Sequence, residues 1–280
     1  MPLALLTGCP GDDSGSDDTT TTTTTTGETE TNDTTVTPGT DTDEPGETDT
    51  DEPGTTEDPD SSTTEGPGEE SRVRVMHLGV NAPGVDVYAN GDGPVFDGLE
   101  FRNSTAYASV PSATYTFDVT VTGTPIEDAV LSPELTLDPD TAYTAVAIGD
   151  LNMTDGAPGL DVIALVDDAA GIDAANVRIT VIHAAPAVGQ VDVWEITGDP
   201  IPLVENVDYS GFTTLADIPA GPLEIGIDVD DDAMPDVTFS ADLTPLAGQQ
   251  INVYANNDDT GAVALVAQLG DGTVLTIPAN

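Results

Sequence analysis

The chain has 280 residues, 4 Lys+Arg against 52 Asp+Glu, and a formal net charge of -48. All four bases are arginines (Arg72, Arg74, Arg102 and Arg178), so the chain has no basic footprint for nucleic acid or for an anionic membrane surface, and without lysine it has no Schiff-base chemistry. A single cysteine, Cys9, excludes an intramolecular disulfide and a cysteine-built zinc site.

The first element is an apolar run closing on that cysteine, Met1-Pro-Leu-Ala-Leu-Leu-Thr-Gly-Cys9. Leu6-Thr7-Gly8-Cys9 resembles a bacterial lipobox, in which the leader is cut before the cysteine and the thiol is diacylated. Only eight residues precede Cys9 and none is basic, short of a secretory leader's charged start and ~7–15 apolar residues. The expectation is that residues 1–9 are the end of a longer leader and that Met1 lies inside it. Acyl chains on Cys9 would hold the protein to a membrane without a spanning helix, and no stretch approaches the ~18 apolar residues such a helix needs. The expected location is extracytoplasmic, on the outer membrane or cell surface of a bacterium.

Residues 10–71 hold one aliphatic side chain, Val36, with 20 of the 52 acids and no base. Thr19 to Thr26 is unbroken threonine, and Thr-Asp-Glu-Pro-Gly occurs at 42–46 and 50–54. Such a segment buries too little apolar surface to offset backbone entropy of roughly 1–2 kcal/mol per residue, and the expectation is a disordered acidic linker. As a flexible coil it would span about 45 Å. An O-glycosylated stalk and a cation-collecting segment have the same composition.

From residue 72 the sequence repeats. Arg72-Val-Arg-Val-Met-His77 aligns with Arg178-Ile-Thr-Val-Ile-His183, and Val85-Asp86-Val87-Tyr88 with Val191-Asp192-Val193-Trp194, both at an offset of 106. The segment from Tyr107 to Val119 matches that from Leu215 to Ile227 at 108. Ile163-Ala-Leu-Val166 matches Val263-Ala-Leu-Val266 at 100, which makes the second copy's counterpart of the Asp150–Gly159 loop eight residues shorter. Two copies of this length read as two domains, 72–168 and 177–280, with 167–176 as the linker, each long enough to fold alone.

Within each copy the pattern is strand. Val73, Val75 and His77 share one face by period 2, as do Tyr115, Phe117 and Val119. The runs are short, spaced ~8–12 residues apart and bounded by Gly, Pro, Asn and Asp. Asn90-Gly91, Asp155-Gly156 and Asp271-Gly272 are turn dipeptides. The predicted fold class is all-β: two tandem antiparallel, Ig-like β-sandwiches after the acidic Thr-rich tail.

Val-Arg-Val-x-His followed by Asn-Ala-Pro-Gly-Val-Asp-Val-Tyr resembles the start of the bacterial domain-of-unknown-function family numbered 4397, and Tyr107-x-x-Val-Pro-Ser-Ala-Thr-Tyr115 resembles a later segment of it. Ala113 stands where that family usually has glycine, and Leu215 replaces the first tyrosine in the second copy. The resemblance implies a secreted or surface-anchored β-sandwich module, often in tandem. It implies no activity and no catalytic residues.

Chemistry-bearing residues are few. His77 and His183 are the only histidines, one per copy, each nine residues before an aspartate, Asp86 or Asp192. A His–Asp pair suits acid–base work or metal binding. One histidine per domain makes a poor zinc site, however, and a residue at the same place in both copies is what a structural pin predicts. No Gly-x-Ser-x-Gly elbow, Walker loop or dinucleotide fingerprint is present. Asp228-Val-Asp-Asp-Asp-Ala-Met-Pro-Asp236 spaces Asp228, Asp230, Asp232 and Asp236 as hard-cation loops do, although Ala233 and Phe239 depart from the EF-hand pattern. No cofactor is expected beyond calcium at these aspartates. The first copy has Thr120-Val-Thr-Gly-Thr-Pro-Ile-Glu-Asp128 there, and Asn256-Asn-Asp-Asp259 reads as a turn. The acid excess, Asp over Glu by 37 to 15, fits a protein kept soluble in salty surroundings or a cation-collecting surface. The function expected is non-enzymatic binding or display of an unknown surface ligand or protein. A calcium-assisted carbohydrate- or protein-binding adhesin and a hydrolase are the rival readings.

Overall fold

The computed structural model describes residues 69–258 and 260–280. Cys9, its lipobox and the acidic segment up to residue 68 lie outside the described residues, as does Asp259. Among the described residues the elements are strands and three short turns of 3-10 helix, and no helix is long and apolar enough to cross a membrane.

The first copy runs β1 (Glu70–His77), β2 (Val85–Ala89), β3 (Asp92–Leu99), β4 (Ala108–Pro111), β5 (Thr114–Val121), β6 (Glu134–Thr136), β7 (Ala142–Ile148) and β8 (Asp161–Val166). One sheet has the order β4-β1-β7-β8 and the other β3-β2-β5-β6. The period-2 alternation sends Val73 and Val75 between the sheets, against Val85, Val87, Phe117 and Val119. β1 begins at Glu70, two residues before the compositional boundary. Glu70 and Ser71 pair with Pro111 and Val110, and buried Ser71 donates its hydroxyl to the Asp138 carbonyl at 2.6 Å. Side-chain polarity hid a strand start that backbone pairing supplies.

The second copy repeats this plan in β9 (Asn176–His183), β10 (Val191–Glu195), β11 (Ile201–Val207), β12 (Phe212–Thr214), β13 (Ile218–Pro219), β14 (Pro222–Asp228), β15 (Val237–Asp242), β16 (Gln250–Asn257), β17 (Val263–Gln268) and β18 (Val274–Ile277). Its sheets are β12-β9-β16-β17-β18, with β13 also on β9, and β11-β10-β14-β15.

Two expectations are corrected here. The sandwiches are not purely antiparallel. β1 lies parallel to β7 (Val73 opposite Tyr143) and β9 parallel to β16 (Ile179 opposite Ile251). Alternation reports which face is buried but not the direction of the neighbouring strand, and the long excursion through the other sheet allows a parallel return. The repeat alignment also slips at its last strand. Val146 pairs with Ile163, and Tyr254, 108 residues on, pairs with Val266, 103 residues on. Ile163 therefore corresponds to Val266 rather than Val263, and the second copy's loop is shorter by five residues, not eight. The two Ala-Leu-Val strings are alike in letters, but an odd slip swaps their faces.

The copies are not beads on a string. The even positions of β1, which should meet water in a lone sandwich, are buried too. Met76, Leu78, Val146, Ile148 and Leu165 pack against Ile182, Ala184, Tyr254 and Val266 of the second copy. The two inner sheets thus stack face to face and make a four-layer body. Burying each large apolar side chain of this seam contributes about 1.5–3 kcal/mol.

A polar network runs through the same seam. Arg74, 0% exposed, donates Nε to Thr144 Oγ1 at 2.7 Å and Nη1 to the Leu269 carbonyl of the second copy at 2.7 Å. Its Nη2 lies 3.3 Å from Asp167 Oδ2, and its guanidinium sits over the Tyr107 ring at 4.5 Å. Asp167 also accepts hydrogen bonds from the Thr144 and Tyr107 hydroxyls and, at Oδ1, from Asn252 Nδ2 at 2.9 Å. Gln268 Nε2 donates to Ser104 Oγ at 2.6 Å. Asp167, expected to open the linker, is instead a buried anchor between the copies. The linker is shorter than 167–176 at both ends, since Asn176 already belongs to β9.

Candidate functional site

The central strands β1, β7, β9 and β16 all end on the same side of the stack, and the loops that follow them enclose a cleft of about 990 Å³. Asn81 and Pro83 come from the β1–β2 loop, and Asp150, Asn152 and Asp155 from the β7–β8 loop. Pro186–Val188 follow β9, and Asn257, Asp258 and Gly261 close β16. Phe101 supplies an aromatic ring.

The walls are built internally. Asp150, 3% exposed, accepts Asn81 Nδ2 at 2.8 Å and the amides of Asn152 and Thr154 at 2.9 and 3.0 Å. Burial pushes its pKa up, but the hydrogen bonds from Asn81, Thr154 and Asn152 outweigh burial and hold it at about 2. The loop is pinched at its base by Gly149 (φ +101), where a Cβ would come 2.1 Å from the Gly159 carbonyl oxygen. Opposite, Asn257 Oδ1 accepts the Ala187 amide at 2.9 Å and its Nδ2 donates to the Gly261 carbonyl at 2.9 Å. Two side chains tie the walls across the seam. Arg102, stacked on Phe101, donates Nη2 to the Asn257 carbonyl at 2.8 Å. Fully buried Asn256 donates to Leu78 O at 3.2 Å and Ala184 O at 3.0 Å, carbonyls that correspond between the copies. The stretch read as a turn is therefore the end of β16. Its asparagines hold the cleft, and Asp258 makes a turn, accepting the Thr260 amide at 2.8 Å.

The histidines stand behind this cleft rather than in it. His77 Nδ1 accepts the Gly79 amide at 3.3 Å, which leaves Nε2 to donate to the Pro83 carbonyl at 3.0 Å. His183 does the same with the Ala185 amide at 3.3 Å and the Gly189 carbonyl at 2.6 Å. Each ring meets an aromatic edge-to-face: Phe101 at 6.1 Å for His77, Tyr209 at 5.9 Å for His183. Burial lowers both pKa values below 6.5, against smaller opposing effects of these carbonyls and of Glu100 or Asp208. Asp86 and Asp192 are not brought to the rings. Asp86 accepts the Gly98 and Gly123 amides at 2.7 and 2.9 Å, and Asp192 accepts the Asn206 amide at 2.5 Å. Each histidine spends both nitrogens inside its own loop, which leaves no lone pair for a substrate or an ion.

The acidic hairpin joins β14 to β15. Asp228 faces Asp192 across the β10–β14 pair, so the hairpin rises from the same end of the body as the cleft. Asp228 Oδ1 accepts the Asp230 and Asp231 amides at 3.1 and 3.0 Å, and Asp236 Oδ2 accepts the Val229 amide at 2.8 Å. Oxygens of Asp228, Asp230 and Asp236 lie within 4.8 Å of one another. Asp232 is outside this group, and its Oδ1 accepts the Met234 amide at 2.9 Å. Asp230's pKa is raised, first by Asp232 and then by burial and by Asp236 and Asp228.

Sequence reasoning missed Arg74, Asp167, Asn252, Asn256 and Arg102. One signal was available: β1 carries apolar residues at both parities beyond Arg74, which a one-sided strand does not.

Residues 71–194 match the model of a domain of unknown function, DUF4397. The match covers the first sandwich and continues through Trp194, the second copy's counterpart of Tyr88. No curated protein matches the chain. Among solved structures, the chain is similar to one described as "Alpha-glucan binding by a streptococcal virulence factor", at 10% identity and a TM-score of 0.24, covering 69% of this chain and 95% of that one. It is similar to a structure of family 41 carbohydrate-binding modules from streptococcal virulence factors at 12% identity and a TM-score of 0.22, covering 66% and 93%. A leucine-rich repeat protein from Bacteroides thetaiotaomicron gives 13% identity and a TM-score of 0.18, covering 76% and 25%. Likenesses this low establish neither a shared fold nor a shared ligand.

Proposed function

We propose that this chain is a non-enzymatic binding or display module, two tandem copies of the DUF4397 domain held outside the bacterial cytoplasm by a lipid on Cys9 and an acidic tether. It takes its surface ligand in the end cleft. The observation that carries this reading is the polarity of the body. β1 begins at Glu70 at one end and runs to His77 beside the cleft at the other, so the cleft opens at the end of the body remote from Glu70. The lining of amides, carboxylates and one aromatic ring suits a polar, ring-bearing ligand by hydrogen bonding and stacking. The spent nitrogens of His77 and His183 support binding without turnover.

The test is retention of the full chain on panels of cell-surface polysaccharides and proteins. Replacing Asn152 and Asp155 together by alanine, both solvent-facing, is expected to weaken retention at least tenfold with thermal unfolding unchanged. Undiminished retention, or chemical conversion of the retained ligand that disappears with His77→Ala, would overturn the proposal.

A further inference from the structure

We infer that Asp228, Asp230 and Asp236 form a single hard-cation site, matched to calcium, at the tip of the β14–β15 hairpin. The inference stands independently of the cleft. Two oxygens bound to one calcium at about 2.3–2.6 Å can be no more than about 5.2 Å apart, and these three carboxylates already place oxygens within 4.8 Å. Clustered acids alone would mean little in a chain this acidic. The deciding observation is Asp228, which is 1% exposed, and its Oδ2 is buried with no hydrogen-bond partner among the described residues. Oδ1 is occupied by two backbone amides, so Oδ2 is the oxygen left for the cluster. A buried charged oxygen without a donor is costly, and a cation beside Asp230 and Asp236 relieves it.

The ion would bind by those three residues and complete its shell with water, since the other two aspartates are exposed. Magnesium demands near-ideal octahedral geometry, and a loop of this kind suits the larger, more tolerant calcium ion. Asp232 does not belong, because it lies outside the group whose carboxylate oxygens come within 4.8 Å of one another. The first copy's hairpin carries threonines at its start in place of the acids, so the expected stoichiometry is one ion per chain.

The test is calorimetric titration and thermal unfolding of the full chain with calcium chloride or with chelator. Sodium chloride at about 0.5 M screens the diffuse attraction of the acidic surface. One calcium per chain is expected, with a rise in Tm of about 5–10 °C at a hundredfold excess over Kd. Asp230→Asn should abolish binding and the rise, while its calcium-free Tm stays equal or increases because three neighbouring carboxylates no longer repel it. Asp232→Asn should keep both. No binding by the unaltered chain, an equal response in Asp230→Asn, or loss of the response in Asp232→Asn would each overturn the site.

Discussion

His77 and His183 show how little a residue type says before its partners are known. Their spacing to Asp86 and Asp192 was legible, and so was their recurrence at one place in each copy. The partners were not, because backbone carbonyls carry no sequence signal. Being buried and neutral, both histidines couple stability to pH. Their folded pKa values lie below the unfolded 6.5, so the unfolded chain takes up protons first. The stabilisation they give is full above 6.5 and is lost as pH falls from there toward the folded values. The unfolding free energy from urea titrations should therefore drop between about pH 7 and 5.5, by at most ~1.4 kcal/mol per pH unit per histidine. The chain with both residues changed to glutamine should start lower and show a flat profile over that interval. An unchanged slope in that variant would assign the effect to other groups.

Among the elements, strand positions and inward faces followed from alternation. Val73, Val75, Phe117 and Val119 lie in the core as their period requires. Partner direction did not follow, because parallel β1–β7 pairing leaves no trace in the composition of a short strand. The slip at β8 has the same root, since a string of letters can match while its faces are exchanged. The β7–β8 loop, present in full only in the first copy, is set by one position. At Gly149 a methyl group would strike the Gly159 carbonyl, and the left-handed backbone there disfavours any side chain. Gly149→Ala is expected to cost about 1–3 kcal/mol in urea denaturation and to speed amide exchange at Asn152 and Thr154, whose hydrogen bonds to Asp150 depend on that loop. Unaltered exchange would show that the loop holds its shape without the pinch.

At the scale of the whole molecule, the repeat in the sequence suggested two independent domains, and the shared seam makes one body of them. Apolar residues from both inner sheets interlock there, and beside them Arg74 and Asp167 are held in a hydrogen-bonded network that joins the copies. Calorimetry of the full chain should therefore show one transition, with calorimetric and van't Hoff enthalpies equal. Arg74→Ala, which strands Asp167 in the seam, should lower stability by about 3–5 kcal/mol. Two resolved transitions in the unaltered chain would mean the copies unfold separately. The inner position of β1 has a mechanical consequence as well. That strand opens the described body at Glu70 and lies between β4 and β7, its axis pointing at the cleft. A tug between an anchored tether and a captured ligand would load its rungs in shear, so that they bear the pull together instead of unzipping in turn.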